Sequence, residues 1–304
     1  MEKSYQNIQE KNLKKDISKK DLLQTPSEYD VLGGKSFDYY KLISLNEGIP
    51  LVSIVVPTYN LGKYIPQTVD SIKGQTIDSS LYEVLFVDDC SKDNTLEVIH
   101  SEIKDIPNAN SIKTNENGGA WFAKNYGIRS SRGKYIMLVD GDDFLEPHAV
   151  ESTLEFMTRN PNLKYSYSQH RKVNAQGDPL YVRKGFDFSR NLLLNFNFVG
   201  AVECFDRDLF EKIGGYRNFY VEDYDFALRA SEVLAKDEIA RNPVVLYNHR
   251  LHFNGKTEKI SLARESAMKA IRESLKRKEG VDAYVEFVGK NEEQNTCFRW
   301  RQTA

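Results

Sequence analysis

Two acidic residues stand two positions apart in the segment Asp140-Gly-Asp142-Asp143, which follows the apolar run 134–139. Carboxylates at this spacing in a turn can direct their oxygens at one point, and Gly141 allows the backbone to bend between them. Such carboxylates repel each other unless a cation lies between them, and oxygen ligands suit Mg²⁺ or Mn²⁺. The segment therefore predicts a divalent-cation site that leaves coordination positions for substrate phosphates. The alternative is a polar turn in which aspartate serves only as a turn former.

Two further acidic pairs stand where chemistry is expected. Asp88 and Asp89 follow the apolar run 82–87, and an acid at this place either accepts hydrogen bonds from a base or ribose or caps the next helix. Glu222 and Asp223 begin a predicted helix after a Gly-Gly-Tyr turn. They are either capping acids or the source of a general base, which takes a proton from an attacking hydroxyl.

The segments between these clusters alternate between strand and helix patterns. The predicted strands are 51–56, 82–87, 111–113 and 134–139, and the predicted helices are 63–73, one capped by Asp93, 119–131 and one opened by Pro147. This alternation is typical of a parallel sheet covered by helices, and such sheets bind ligands at the carboxyl ends of their strands. We therefore expect the acidic clusters to meet at one edge. Further along, strands are predicted over 198–205 and 243–247, and helices over 222–234 and from residue 259.

Composition excludes several classes of protein. The chain has 304 residues, 40% hydrophobic and 28% charged, with a net charge of −2, so no global field favours nucleic acid. No apolar stretch is long enough to predict a transmembrane helix, and the N-terminus lacks a signal-peptide core. The three cysteines, far apart in the sequence, suit a reducing compartment. Neither a Gly-x-Gly-x-x-Gly nor a Walker lysine motif occurs, which disfavours a Rossmann dehydrogenase and a P-loop enzyme.

The first fifty residues differ from the rest of the chain. Five lysines fall between positions 11 and 20, with Leu13 and Ile17 among them. This pattern predicts one or two short, mostly solvated helices. They either pack on the main domain or contact a membrane surface or a partner helix.

The motifs above occur in an order that resembles the family 2 inverting glycosyltransferases of the GT-A fold. The matching segments are Val52-Ser-Ile-Val-Val-Pro-Thr-Tyr-Asn60, Glu83-Val-Leu-Phe-Val-Asp-Asp89, Ser91-Lys-Asp-Asn-Thr95, Asn117-Gly-Gly119, Ala123-Lys-Asn-Tyr-Gly127, Gly133-Lys-Tyr-Ile-Met-Leu-Val-Asp-Gly-Asp-Asp-Phe144, Gly214-Gly-Tyr216 and Glu222-Asp223. Each motif alone is a weak signal, whereas the ordered set is specific.

The resemblance implies an α/β chain with a mostly parallel central sheet flanked by helices. It implies an N-terminal helical extension over 1–50, a GT-A domain over 51–258 and a C-terminal helical region over 259–304. Within the GT-A domain, residues 51–158 would bind the nucleotide and residues 159–258 the acceptor.

The resemblance also implies roles for individual residues. The nucleotide and donor site would consist of Pro57, Thr58, Tyr59, Asn60, Asp89, Asn117, Lys124, Asp140, Gly141 and Arg250. In this assignment Asp89 holds the base, usually uracil, and Arg250 is a phosphate partner. Lys124 would meet a phosphate, unless it is an ordinary solvated lysine of its helix.

The remaining implied roles concern the metal and the reaction. Asp142 would ligate Mn²⁺ or Mg²⁺, and His252 is a second candidate ligand, although the residues after it depart from the family pattern. Asp223 would be the base that deprotonates the acceptor hydroxyl. Glu222 would either orient Asp223 or contact the acceptor. Asp143 would lie on the acceptor side. One displacement at the anomeric carbon then inverts it, without a carboxylate nucleophile.

The implied activity is transfer of one sugar from a nucleotide-diphosphate sugar, with UDP expected, to a hydroxyl of a glycan or lipid-linked acceptor in cell-envelope or capsule polysaccharide synthesis. A processive synthase is disfavoured, because Thr296 stands where a Gln-x-x-Arg-Trp motif ending at Trp300 needs glutamine. The expected location is the cytoplasm or the inner face of the membrane, and homo-oligomerisation stays open. The alternatives are a non-catalytic carbohydrate-binding or scaffold protein of this fold and a sugar-nucleotide nucleotidyltransferase.

Overall fold

A computed structural model describes residues 49–252, 260–291 and 296–303. The predicted N-terminal helices lie outside the described residues. The described chain contains a large mixed sheet with helices on both sides and a separate hairpin near its C-terminal end. None of the described helices is long and apolar enough to cross a membrane.

The first half of the sheet consists of four parallel strands. They are β1 (Val52–Thr58), β2 (Tyr82–Asp88), β3 (Ala109–Lys113) and β4 (Tyr135–Leu138), in the order β3-β2-β1-β4. The helices that connect and cover them are α1 (Ile65–Lys73), α2 (Thr95–Ile103), α3 (Ala120–Ser130) and α4 (Ala149–Arg159). Strands β1, β2 and β4 are buried along their whole length, as continuous β-branched runs covered by helices require. The predicted parallel sheet is confirmed here.

The second half of the sheet is mixed rather than mostly parallel. Its strands are β5 (Phe144–Leu145), β6 (Tyr165–Val173), β7 (Pro179–Arg183), β8 (Cys204–Asp206) and β9 (Ile239–Arg250). From β4 the strand order continues β8-β6-β9-β5, and β7 pairs with β6 beside this path. Strand β8 runs antiparallel to its neighbours β4 and β6, whereas β6 and β9 run parallel to each other. The helices of this half are α5 (Arg190–Leu193), α6 (Arg207–Ile213) and α7 (Glu222–Val233).

The strand predicted over 198–205 is shorter than expected. Only its last residues join the sheet, in β8, and the segment before them is irregular. The backbone of Gly200 has φ 141° and that of Val202 has φ 42°. A β-branched residue with positive φ is strained, and such strain concentrates at functional sites.

The C-terminal region is helical only in its first part. Helix α8 (Ile260–Glu279) packs on α7 through Ala267, Ala270, Ile271 and Leu275 and ends at Gly280, whose φ is 69°. Strands β10 (Ala283–Lys290) and β11 (Thr296–Gln302) follow as an antiparallel pair. The predicted helical region over 259–304 is therefore wrong after Glu279, since the sequence beyond the glycine alternates apolar and polar residues at strand spacing.

Helix α3 lies unusually close to the sheet. A Cβ on Gly127 would come within 2.5 Å of Val55 Cγ1 and 2.8 Å of Val87 Cγ2, so only glycine permits this packing on β1 and β2. The close approach fixes α3 over the carboxyl ends of these strands. It thereby places Lys124 and Asn125, within the preceding turn, against Glu222 at the start of α7 and Tyr216 in the turn before it.

Candidate active site

The segment after β1 forms one side of the site. Pro57 and Thr58 are buried, and the Thr58 hydroxyl donates to the Val87 carbonyl at 3.2 Å. Tyr59 is exposed, so its ring is available to a ligand. Asn60 has φ 54°, and its Oδ1 accepts the Lys92 N–H at 2.8 Å, which joins this segment to the loop after β2.

Asp89 holds the loop that leads into α3. Its side chain is buried, and its two carboxylate oxygens accept the backbone N–H groups of Gly118 (3.1 Å) and Gly119 (2.7 Å) and the Thr114 hydroxyl (3.2 Å). Asn117 is exposed in the same loop and donates to the Asp89 carbonyl at 3.2 Å. These contacts fix the Asp89 carboxylate beside the loop before α3, and its assignment to the base stays a prediction.

The acidic turn after β4 is packed tightly against the end of β1. The Gly141 N–H donates to the Pro57 carbonyl at 3.2 Å, and a Cβ on Gly141 would come within 2.6 Å of Thr58 Cγ2. The Asp140 N–H donates to the Tyr247 hydroxyl at 3.0 Å. The two segments assigned to the donor site are therefore brought together, as predicted from the strand ends.

Asp142 and His252 meet at this turn. Asp142 Oδ2 lies 2.8 Å from His252 Nε2, and the imidazole is nearly buried against the ring of Tyr64. Although burial opposes it, the hydrogen bond and charge of His252 bring the pKa of Asp142 below its ordinary value. Asp143 points elsewhere: its Oδ1 accepts the Arg250 N–H at 2.7 Å, and burial together with Asp142 raises its pKa well above the usual range.

Arg250 supports this turn from within the protein. Its guanidinium donates to the Asp142 carbonyl (2.7 Å), to Gln67 Oε1 (2.6 Å) and to the Ala175 carbonyl (3.1 Å). The residue is buried between the rings of Tyr64 and Phe144. Three guanidinium donors thus hold the backbone that carries the acidic turn, and the predicted phosphate contact of Arg250 stays a prediction.

Lys124 connects α3 to the acidic start of α7. Its Nζ lies 3.1 Å from Glu222 Oε1 and also contacts Asp223 Oδ1, over the ring of Tyr216. The lysine and Glu222 are buried, whereas the Asp223 side chain is 37% exposed. Burial disfavours the charged lysine, but Asp223 and Glu222 outweigh it and raise the pKa of Lys124 well above its ordinary value. The alternative of a solvated lysine is therefore wrong, since Lys124 is a buried ion-pair partner of the candidate base, and its phosphate contact stays a prediction.

The sequence interpretation missed three residues around this ion pair. Asn125 accepts the Tyr216 N–H at 2.8 Å and donates to its carbonyl at 2.7 Å, which fixes the Gly-Gly-Tyr turn before α7. The Tyr216 hydroxyl in turn donates to Glu203 Oε2 at 3.3 Å. Burial and the nearby Asp223 raise the pKa of Glu203 to about 8. The available signal for Glu203 was a single charge within the apolar run 198–205.

Asp140, Asp223 and Glu203 line one cleft with Lys124. The cleft has about 700 Å³ of empty space, including space open to solvent. Burial raises the pKa of Asp140 to about 6, against the opposing charge of Lys124. The cleft thus offers an exposed carboxylate, Asp223, beside acids held at different protonation states, which is the arrangement expected of a site for proton transfer.

The acidic turn also fits a divalent cation. Among the described residues no three His, Cys, Asp or Glu side chains gather around one point. Asp142 and His252 nevertheless offer a carboxylate oxygen and an imidazole nitrogen side by side, and the buried Nδ1 of His252 has no hydrogen-bond partner in the described part of the chain. Two protein ligands suit a cation that takes its other ligands from substrate phosphates and water.

Solved structures with a similar fold identify the architecture. Staphylococcus aureus TarS (residues 1–349, in complex with UDP-GlcNAc) matches with a TM-score of 0.63 and 19% identity, over 75% of this chain and 67% of that one. The mannosyltransferase PcManGT of Pyrobaculum calidifontis, in complex with GDP-Man and Mn²⁺, matches with a TM-score of 0.61 and 17% identity, over 78% and 71%. The described chain therefore has the GT-A fold that the sequence predicts.

Sequence comparison gives the family. The sequence pattern of glycosyl transferase family 2 matches residues 53–214, and the chain belongs to that family. It is 32% identical to the chondroitin synthase of Escherichia coli over 235 residues, which are 75% of this chain and 33% of the relative. The chain spans about a quarter to a third of the length of the first curated relatives it matches.

Proposed function

We propose that the chain is a metal-dependent inverting glycosyltransferase that moves one sugar from a UDP-sugar to a hydroxyl of a glycan or lipid-linked acceptor. One observation carries the proposal: Asp223 presents an exposed carboxylate in the same cleft as Asp140. Asp140 lies two positions before Asp142 in the sequence, and Asp142 contacts His252. Family membership, the chondroitin synthase relative and the UDP-GlcNAc complex of TarS support it.

In this mechanism Asp223 accepts the proton of the acceptor hydroxyl as that oxygen attacks the anomeric carbon. Lys124 holds the Asp223 carboxylate through their direct contact and is itself held by Glu222. A positioned base of this kind contributes about 10²- to 10⁴-fold to the rate. Glu222, buried beneath the lysine, is therefore a positioning residue in this proposal and not a second base.

The donor would lie along the edge formed by Tyr59, Asn60 and the acidic turn. The exposed ring of Tyr59 is placed to stack on the base, and Asp140 to contact the ribose or the sugar. Asp142 and His252 would hold Mn²⁺ or Mg²⁺, and a bound cation neutralises the charge that develops on the leaving diphosphate. Arg250 keeps the Asp142 backbone in place through its 2.7 Å hydrogen bond.

The test is a donor screen on the purified chain. Release of nucleoside diphosphate from UDP-, GDP- and dTDP-sugars is followed with Mn²⁺, with Mg²⁺ and with EDTA, alone and with a panel of oligosaccharide acceptors. We expect cation-dependent turnover of one UDP-sugar. Asp142→Asn should lose cation dependence and donor affinity, whereas Asp223→Asn should bind donor normally and lose transfer by at least a hundredfold.

A matched control is Asp70→Asn, which removes an exposed aspartate of α1 and should behave as the wild type. If no UDP-, GDP- or dTDP-sugar is turned over and none of the three nucleotides binds with any cation, the glycosyltransferase proposal is wrong. A non-catalytic carbohydrate-binding role on this fold would then replace it. Retention of the anomeric configuration in the product would instead refute only the inverting mechanism.

The proposal also includes a cytoplasmic location, with peripheral attachment where the acceptor is lipid-linked. Fractionation of cells that express the full chain tests this part. Recovery in the soluble or salt-extractable membrane fraction supports it, and recovery that requires detergent contradicts it. Size-exclusion chromatography with light scattering on the same preparation gives the oligomeric state.

A further inference from the structure

The cleft that contains Asp223 also has a basic wall, formed by His170, Lys172, Arg183 and His249. These residues come from three neighbouring strands, β6, β7 and β9, in the second half of the sheet. His170 pairs with Arg183 across β6 and β7, and Lys172 pairs with His249 across β6 and β9. Directly paired residues, and residues two apart on one strand, project from the same face of a sheet, so all four side chains stand together.

The charge of the basic wall is only partly balanced by the described residues, where His249 Nδ1 lies 3.7 Å from Asp143 Oδ2. Within the described part of the chain, no carboxylate lies within ion-pairing distance of Lys172 Nζ. His170 is 96% buried, and its Nε2 has no hydrogen-bond partner among the described residues. Asn197 lines the same cleft with an unpartnered buried Oδ1, while its carbonyl accepts a hydrogen bond from Arg183 Nη2 at 3.0 Å. Buried polar atoms are normally satisfied, so this group of unsatisfied atoms indicates a missing ligand.

We propose that the basic wall binds an acidic group of the acceptor, a carboxylate or a phosphate carried by the attacked sugar or by the sugar next to it. Arg and Lys donors form their strongest hydrogen bonds with such groups. Burial and the neighbouring Arg183 lower the pKa of Lys172 to about 7, and a bound anion would favour its charged form. The inference rests on the proposed function, because it names the chemical class of the acceptor whose hydroxyl Asp223 would deprotonate.

The donor diphosphate is the competing source of negative charge, and the geometry disfavours it. The residues that line this cleft do not include Asp142 or His252, the pair assigned to the cation that accompanies the diphosphate. Arg250, next to His249 on β9, turns to the opposite side and is engaged with the Asp142 carbonyl and Gln67. Asp223, which must face the acceptor hydroxyl, does line the cleft.

The experiment compares matched acceptors with the donor held constant. One pair of oligosaccharides ends in glucose or glucuronic acid, and a second pair ends in N-acetylglucosamine or its 6-phosphate. Steady-state constants for donor and acceptor are measured for the wild type, Lys172→Met and Arg183→Gln. Lys184→Met serves as control, because it removes the same charge from an exposed residue next to Arg183.

We expect the wild type to use the acidic member of one pair with at least tenfold higher kcat/KM than the neutral member. Lys172→Met and Arg183→Gln should raise the acceptor KM for the acidic member about tenfold or more. The donor KM and the rate with the neutral acceptor should stay unchanged. Lys184→Met should match the wild type in every constant.

Two kinetic results would overturn the inference. Equal use of acidic and neutral acceptors by the wild type removes the need for an anion site. A rise in donor KM without a change in acceptor KM assigns the basic wall to the donor, as an acidic donor sugar would require.

A binding measurement separates this inference from the proposed function. When no acceptor or no donor is turned over, glucuronate and inorganic phosphate are titrated into the chain while the imidazole resonances of His170 and His249 are followed by NMR. Saturable shifts that are lost in Lys172→Met support the anion site even if the glycosyltransferase proposal fails. The absence of saturable binding up to tens of millimolar overturns the inference.

Discussion

Lys124 and Glu222 form an ion pair across 98 positions of sequence, with Nζ and Oε1 3.1 Å apart and both side chains less than 5% exposed. The pair joins α3, which covers the first half of the sheet, to the start of α7 in the second half. Asp223 contacts the same ammonium group from the cleft. The candidate base is therefore held by a charge that comes from a helix covering the first half of the sheet.

Replacing Lys124 by methionine should destabilise the protein and disable it. The change leaves the buried Glu222 carboxylate without its cation, and loss of one partner of a buried pair costs about 3–5 kcal/mol. We expect a lower midpoint of urea unfolding and at least a hundredfold lower transfer. Lys113→Met, at an exposed position of β3, should change the free energy of unfolding by less than about 0.5 kcal/mol. Equal effects of the two changes would refute the structural role of the ion pair.

Glu203 should make the protein less stable as the pH rises. Its pKa is about 8 in the folded chain, whereas an unfolded glutamate titrates near 4.3, so the folded state binds more protons between these values. The contribution of this group is complete below the unfolded pKa and is lost as the pH rises towards 8, by at most about 1.4 kcal/mol per unit.

Urea unfolding of Glu203→Gln at several pH values between 5 and 8 tests this prediction. The amide keeps the volume of the side chain and cannot ionise. The decline in the free energy of unfolding should therefore be shallower in the variant than in the wild type across this window. Parallel pH profiles for the two proteins would show that Glu203 titrates at an ordinary pKa.

Gly127→Ala should destabilise the fold although alanine is the better helix former. The helix propensity favours alanine by about 1 kcal/mol, but the added methyl lies 2.5 Å from Val55 Cγ1, and overpacking of this kind costs about 1–3 kcal/mol. A double-mutant cycle with Val55→Ala isolates the clash. Because the second change removes the nearer of the two obstructing side chains and leaves Val87 in place, the double variant should be more stable than the sum of the two single changes predicts. Strict additivity would contradict this packing.

His252→Ala should weaken cation binding more than it weakens the fold. The imidazole is nearly buried beside the acidic turn, with Nε2 2.8 Å from Asp142 Oδ2. Loss of this group from the ligand set should lower the Mn²⁺ affinity in the presence of UDP by about 10- to 100-fold. Electron paramagnetic resonance measures free Mn²⁺ directly and needs no turnover. His100→Ala, an exposed histidine of α2, is the control, and equal Mn²⁺ affinity in both variants would exclude His252 from the site.

Sequence reasoning predicted the first half of the fold well, because its signals are local. Continuous β-branched runs can be stable only as covered strands, and the carboxyl ends of parallel strands necessarily share one edge. The convergence of Pro57, Asp89 and Asp140 followed from these two rules. The site assignments for these residues came from family resemblance and stay predictions where their contacts do not correct them.

The failures come from partners that are distant in sequence. Arg250 is held by the side chain of Gln67, which lies 183 positions away in the sequence. Lys124 is buried against Glu222, which lies 98 positions away. Neither neighbour can be read from the residues around it. Glu203 was overlooked because an isolated charge in an apolar run has no periodic pattern, and the hairpin after Gly280 was overlooked because the charged helix before it dominated the pattern.

The loop immediately before α3 carries a negative side chain of the protein itself. The N–H groups that open a helix usually attract a phosphate of the ligand, but here those of Gly118 and Gly119 are taken by Asp89. The anion bound at this position is the Asp89 carboxylate of the protein itself. An anionic ligand that approached this edge would therefore not find these two N–H groups free, because a side chain from the end of β2 already holds them.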